Sequence, residues 1–113
     1  MAYKKSQLNK VINQIIKALS KQISIDKVIL FGSYAHGRPR KRSDIDLAIV
    51  SEQFRNMDDI SRLKVLLSVL KGIHLPYLVD IDLLGFTSEE LENADYFDIS
   101  GEIVRKGQLV YSK

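Results

Sequence analysis

Two apolar runs sit close together in this chain and leave little freedom in how it can fold. The first is Lys27-Val28-Ile29-Leu30-Phe31; the second, Leu47-Ala48-Ile49-Val50, is opened by Ser43-Asp44-Ile45-Asp46. A parallel connection needs a dozen or more residues and normally holds a helix, and Gly32 to Ser43 is too short for one. The spacing therefore predicts antiparallel neighbours, with a helical turn beginning at Ser33. Antiparallel pairing sets the end of the first strand beside the start of the second, so Gly32-Ser33 lies next to Asp44 and Asp46. Alternate residues of a strand share a face, about 6.6 Å apart. Asp44 and Asp46 then converge on one point, while Ile45 and Leu47 turn into the core.

The rest of the chain supplies a frame for that hairpin. From Gln7 to Ser20, apolar Leu8, Val11, Ile12, Ile15, Ile16 and Leu19 follow the rhythm of an amphipathic helix. The first strand is read as Ile25 to Phe31. Asp58 or Asp59 can cap a following helix with Ile60, Leu63, Leu67 and Leu70 inward, closed by Lys71-Gly72. A third strand is expected over Leu75–Leu84, with Pro76 confined to its start or to an edge. The helix before it makes it a parallel partner of the second strand. Thr87-Ser88-Glu89-Glu90 is a capping box. A helix from Asp98 to Lys106, stopped at Gly107, leads to a last strand, Gln108–Tyr111. The expected fold class is α/β, one small mixed sheet with helices packed against it, as a single domain over residues 1–113.

The residues with chemical capacity cluster around the hairpin. Gly32 allows close backbone approach or a positive φ, and Ser33 brings a hydroxyl and an amide to a helix start, where phosphate binds. Alone, Gly-Ser is an ordinary turn. Asp46 is more telling, because it interrupts an apolar strand with no Lys or Arg in that strand to pair with it, and a buried carboxylate without a partner is costly. A hard cation bound by oxygen ligands and substrate phosphates removes that cost, which suits magnesium. Asp80 and Asp82 share one face of the third strand and offer further carboxylates. Arg38, Arg40, Lys41 and Arg42 form a basic cluster, by default a solvated loop, otherwise a contact for triphosphate or RNA. Tyr34 is the sole aromatic nearby that could stack on a base. Gly32–Gly37 imitates a phosphate-binding P-loop, but Arg38-Pro39 stands where its Lys and Ser/Thr belong. His36 and His74 lack partners at ligand spacing.

Gly-Ser, ten residues, then Asp-x-Asp resembles the signature of the DNA-polymerase-beta-like nucleotidyltransferase superfamily, in its minimal nucleotidyltransferase (MNT) branch. Such a pattern arises by chance in roughly one chain per thousand of this length. The likeness is specific from Ile25 to about Leu84 and extends in outline to Tyr111. It implies a polymerase-beta palm-like fold and transfer of a nucleoside monophosphate, AMP from ATP or the equivalent from another NTP, onto an acceptor hydroxyl with release of pyrophosphate. It implies two magnesium ions held by Asp44, Asp46 and a third carboxylate that takes the acceptor's proton. The pattern Val79-Asp80-Ile81 assigns that role to Asp80, with Asp82 as the fallback or as a solvated carboxylate at the cleft rim. Gly32, Ser33, Arg42 and Ser43 form the expected nucleotide-binding set.

Larger relatives carry a second domain for the acceptor, which this chain lacks, and that argues against direct modification of an antibiotic. Members this short pair with a separately encoded helical HEPN-type protein as toxin–antitoxin systems, the transferase adding AMP to its partner. The alternative is an antitoxin that neutralises a helical partner by contact alone. A nucleic-acid acceptor is not favoured: a net charge of +3 and a pI near 9.2 are only mildly basic. Homo-oligomerisation stays open. With no cysteine, disulfides and thiolate chemistry are excluded. The absence of an apolar leader or spanning run leads to an expected cytoplasmic location and no membrane partner.

Overall fold

The computed structural model describes residues 3–37, 44–73, 80–93 and 99–113, with Ile99 and Ser100 described by backbone alone. Helix α1 (Lys5–Leu19) buries Leu8, Val11, Ile12, Ile15 and Leu19, the face its periodicity predicts. Strand β1 (Lys27–Phe31) and strand β2 (Ile45–Val50) pair antiparallel, with Phe31 opposite Asp46 and Leu30 opposite Leu47. A 3-10 turn over Glu52–Asn56 leads to α2 (Asp59–Ser68), capped by the Asp58 carboxylate, which accepts from the Ser61 amide. Strand β3 (Ile81–Phe86) returns parallel to β2, followed by α3 (Ser88–Glu92), α4 (Ile99–Lys106) and β4 (Gln108–Ser112). Among the described residues the sheet order is β3-β2-β1-β4.

The alternation of β2 divides the molecule. Ile45, Leu47 and Ile49 point to one face, joining Val28, Leu30 and Leu83 under α1 and α2 in the main core. Asp46 and Ala48 point to the other, where Phe31, Ala48 and Ile103 of α4 make a smaller cluster with Leu84, Phe86 and Leu91. Among the described residues, the face that carries Asp46 thus holds the smaller of the two clusters.

Two expectations need correction. The third strand was expected to end at Leu84 and instead runs to Phe86, because it keeps parallel register with β2 as far as Val50 opposite Phe86; His74 to Val79, including Pro76, lie outside the described residues. The second concerns α2, whose inward side is not Ile60, Leu63 and Leu67. Leu66 and Val69 are buried, while those three are 65%, 49% and 50% exposed. The anchor that turns the helix is Arg62. Its guanidinium donates to the Phe54 carbonyl (2.7 and 3.1 Å) and the Gly85 carbonyl (3.2 Å), pairs with Glu90 at 2.8 Å and stacks 5.6 Å from the centre of the Phe54 ring. A cation reaching several carbonyls outweighs one face of exposed leucines in setting rotation. Among the described residues, no helix is long and apolar enough to cross a membrane.

Candidate active site

The site assembles where β1 ends and β2 and β3 begin. Antiparallel pairing delivers Gly32 beside Asp46, and parallel pairing sets Asp82 directly opposite Asp46. At the first residue of β2, the Ile45 amide donates at 2.9 Å to the carbonyl of Asp80, just before β3, which ties the starts of the two strands together. As a result Asp44, Asp46 and Asp82 each place a carboxylate oxygen within 4.8 Å of the others. Asp80 is outside this group. It lies two residues before Asp82, where it raises the pKa of Asp44 through its charge.

Gly32 has φ +74°, and a Cβ there would run into the Asp46 carboxylate. Glycine is required both by the backbone and by the neighbour. Ser33 opens a single helical turn in which the amides of Ala35 and His36 donate to the Gly32 carbonyl at 3.1 and 3.3 Å. Tyr34 fastens this turn to the body. Its ring is buried beside Tyr3, at 6.4 Å between centres, and its hydroxyl accepts from the Tyr3 amide at 3.0 Å. It is therefore a structural anchor rather than a stacking platform for a base. Arg38, Arg40, Lys41, Arg42 and Ser43 lie outside the described residues.

Crowded like charges leave a clear electrostatic signature. Burial first, then the charges of Asp82 and Asp44, and a hydrogen bond with Asp82 raise the Asp46 pKa from the ordinary 3.8 to about 6. Asp44 is raised too, by burial and by Asp82 and Asp80. Carboxylates forced this close cannot all ionise comfortably on their own. Glu102 of α4 adds its charge to Asp46. Sequence reading passed over it; its one signal is that it is the only acidic residue of α4. Three half-exposed to exposed carboxylates, all oxygen donors within reach of a common point, form a donor set that fits a hard divalent cation.

Comparison with known proteins places the chain in a family. The model of the family described as Polymerase beta, Nucleotidyltransferase matches residues 13–113. The relative named "Probable protein adenylyltransferase MntA", from Haemophilus influenzae, is 34% identical over 97 residues, which span 85% of this chain and 75% of that protein. A chain in a crystal structure of a toxin–antitoxin with AMP-PNP superposes with a TM-score of 0.59 at 28% identity, over 89% of this chain and 73% of the other. A chain of the toxin–antitoxin MntA–HepT gives a TM-score of 0.54 at 27% identity, over 95% and 73% respectively. With the family model covering nearly the whole chain and the carboxylates gathered at the ends of its strands, this protein belongs to the polymerase-beta nucleotidyltransferase family and is a nucleotidyltransferase.

Proposed function

We propose that this chain transfers AMP from ATP to a hydroxyl of a small helical partner protein, as the antitoxin of a toxin–antitoxin pair. The observation that carries the reading is the convergence of Asp44, Asp46 and Asp82 beside the Gly32-Ser33 turn. The adenylyltransferase name of the Haemophilus relative, AMP-PNP in one similar complex and HepT in another support the nucleotide and the partner.

Asp44, Asp46 and Asp82 would hold magnesium, two ions when nucleotide is bound, and the metal supplies charge neutralisation for the triphosphate and the developing transition state. Gly32 keeps space open at the Asp46 carboxylate, and Ser33 offers a donor to phosphate at the start of its turn. Arg42 and Ser43 complete the proposed nucleotide contacts. The acceptor oxygen bonds to the α-phosphorus, the bond to the bridging oxygen of the β-phosphate breaks, and pyrophosphate departs. The acceptor's proton passes to Asp82, the most exposed of the three carboxylates and so the one facing an incoming group.

The acceptor's own protein would help position its hydroxyl at the carboxylates; positioning two reactants is worth on the order of 7–11 kcal/mol. Intact-mass spectrometry of the chain mixed with its copurifying partner, ATP and magnesium tests the reading. The partner should gain the mass of AMP. A partner that binds without gaining mass would show neutralisation by contact, and efficient transfer to a small molecule by the chain alone would remove the partner from the mechanism.

A further inference from the structure

Two glycines at positive φ bracket the turn that follows β1, Gly32 at +74° and Gly37 at +69°. The hydrogen bonds inside it are local: Ala35 and His36 donate to the Gly32 carbonyl, and the Gly37 amide donates to the Tyr34 carbonyl at 3.4 Å. Such bonds fix the shape of the turn but not its place on the protein. A cavity of about 360 Å³ is lined by Tyr34, Ala35 and Gly37 of the turn and by Leu8, Ile12 and Leu30 of α1 and β1. Atoms that face a gap forfeit the contacts that would hold them. Tyr34 reaches past this gap. Its side chain belongs to the main core, and its hydroxyl accepts from the buried amide of Tyr3, 31 residues earlier in the chain.

We propose that Tyr34 is a positioning residue for the nucleotide, and that the main-chain amide of Tyr3, ahead of α1, is the fixed point it holds. This rests on the reading that the Gly32-Ser33 turn meets phosphate. Tyr34 itself stays clear of the nucleotide, with its side chain buried and its hydroxyl bonded to Tyr3; its neighbour Ser33 makes the contact. Without that hydroxyl the Tyr3 amide loses its acceptor, and a buried donor left unpaired is costly. The turn then samples several positions, of which only a fraction suits phosphate, and the apparent affinity for nucleotide falls by that fraction. Ground state and transition state need the turn in the same place, so the loss falls on KM and spares kcat. The first residues of the chain thereby belong to the nucleotide site without touching it.

Calorimetry of the whole chain with magnesium and a non-hydrolysable ATP analogue tests this, well below the melting temperature and with folding checked by circular dichroism. Tyr34→Phe keeps the ring and should raise the dissociation constant about three- to tenfold. In transfer to the copurifying partner, KM for ATP should rise by a similar factor while kcat holds within about twofold. Tyr3→Ala and Tyr3→Pro both lose the ring, but only proline loses the amide proton, so Tyr3→Pro should bind nucleotide more weakly than Tyr3→Ala. Adding Tyr34→Phe to Tyr3→Pro should cost nothing further, because both remove the same bond. Ser33→Ala reports separately on the contact with phosphate. If Ser33→Ala weakens binding and Tyr34→Phe does not, the role of Tyr34 is overturned and the phosphate turn stands; if neither weakens it, both fall. A loss of kcat at unchanged affinity, or fully additive losses in the double variant, also overturns the proposal.

Discussion

The α-carbon of Gly32 lies so close to the Asp46 carboxylate that no side chain can stand between them. The Gly32-Ser33 turn and the strand that carries the carboxylate are thus in direct contact. Gly32→Ala should therefore damage two things at once. It strains a backbone at φ +74°, costing about 1–2 kcal/mol, and displaces Asp46. Thermal unfolding should fall by several degrees, and calorimetry should show magnesium–nucleotide binding weakened about tenfold or more. A variant with normal binding would break the link between turn and carboxylate.

Asp46 has a folded pKa of about 6 against an ordinary 3.8. In that window the folded chain binds more protons than the unfolded one, so stability declines as pH rises from about 4 to 6 and stays lower above. Asp46→Asn removes the cost. Without metal, at pH 7, it should be more stable than the parent by about 1 kcal/mol, a figure discounted because the group is half exposed. At pH 4 the two should be equal. Urea denaturation at both pH values in chelator decides it, and an Asn variant less stable at pH 7 would contradict the crowding.

Transfer should fail with Asp82→Asn far more than with Asp80→Asn. A group that takes the proton and completes a metal site acts mainly in the transition state, so kcat should drop by about 10²–10⁴ with little change in nucleotide affinity. Asp80→Asn should stay within roughly tenfold of the parent, as a charge at the edge of the cluster. Single-turnover rates with labelled ATP separate the two; the reverse ranking would return the role to Asp80.

Arg62→Ala strips the Phe54 and Gly85 carbonyls of a charged donor in a site where that side chain is 13% exposed. Losing a largely buried, multiply bonded guanidinium should cost about 2–4 kcal/mol. The carboxylates are at the other end of β2 and β3, so the rate per folded molecule should hardly change. A loss of rate without loss of stability would mean that Arg62 acts on the site itself.

The hairpin was legible because its connection is short: antiparallel pairing and a period of two fix where Gly32, Asp44 and Asp46 meet. Asp80 and Asp82 were harder to separate, since the alternation expected of a strand puts both on one face, whereas in the structure Asp80 stands just before β3. Only register distinguishes them, and the parallel match of Asp46 with Asp82 is set across a helical crossover that no local pattern encodes. The same limit explains α2. Its leucines lie on more than one side, and the choice fell to Arg62, a charged residue whose partners Phe54, Gly85 and Glu90 come from other elements.

The mixed character of the sheet has a kinetic corollary. The β1–β2 hairpin is local and can close early, bringing Gly32 to Asp46, whereas Asp82 arrives only when the β2–α2–β3 crossover docks. A nascent or partly melted copy thus holds the Gly32 turn with Asp44 and Asp46 but lacks Asp82 beside them. The proposed three-carboxylate site is incomplete until the β2–β3 seam of the sheet has closed.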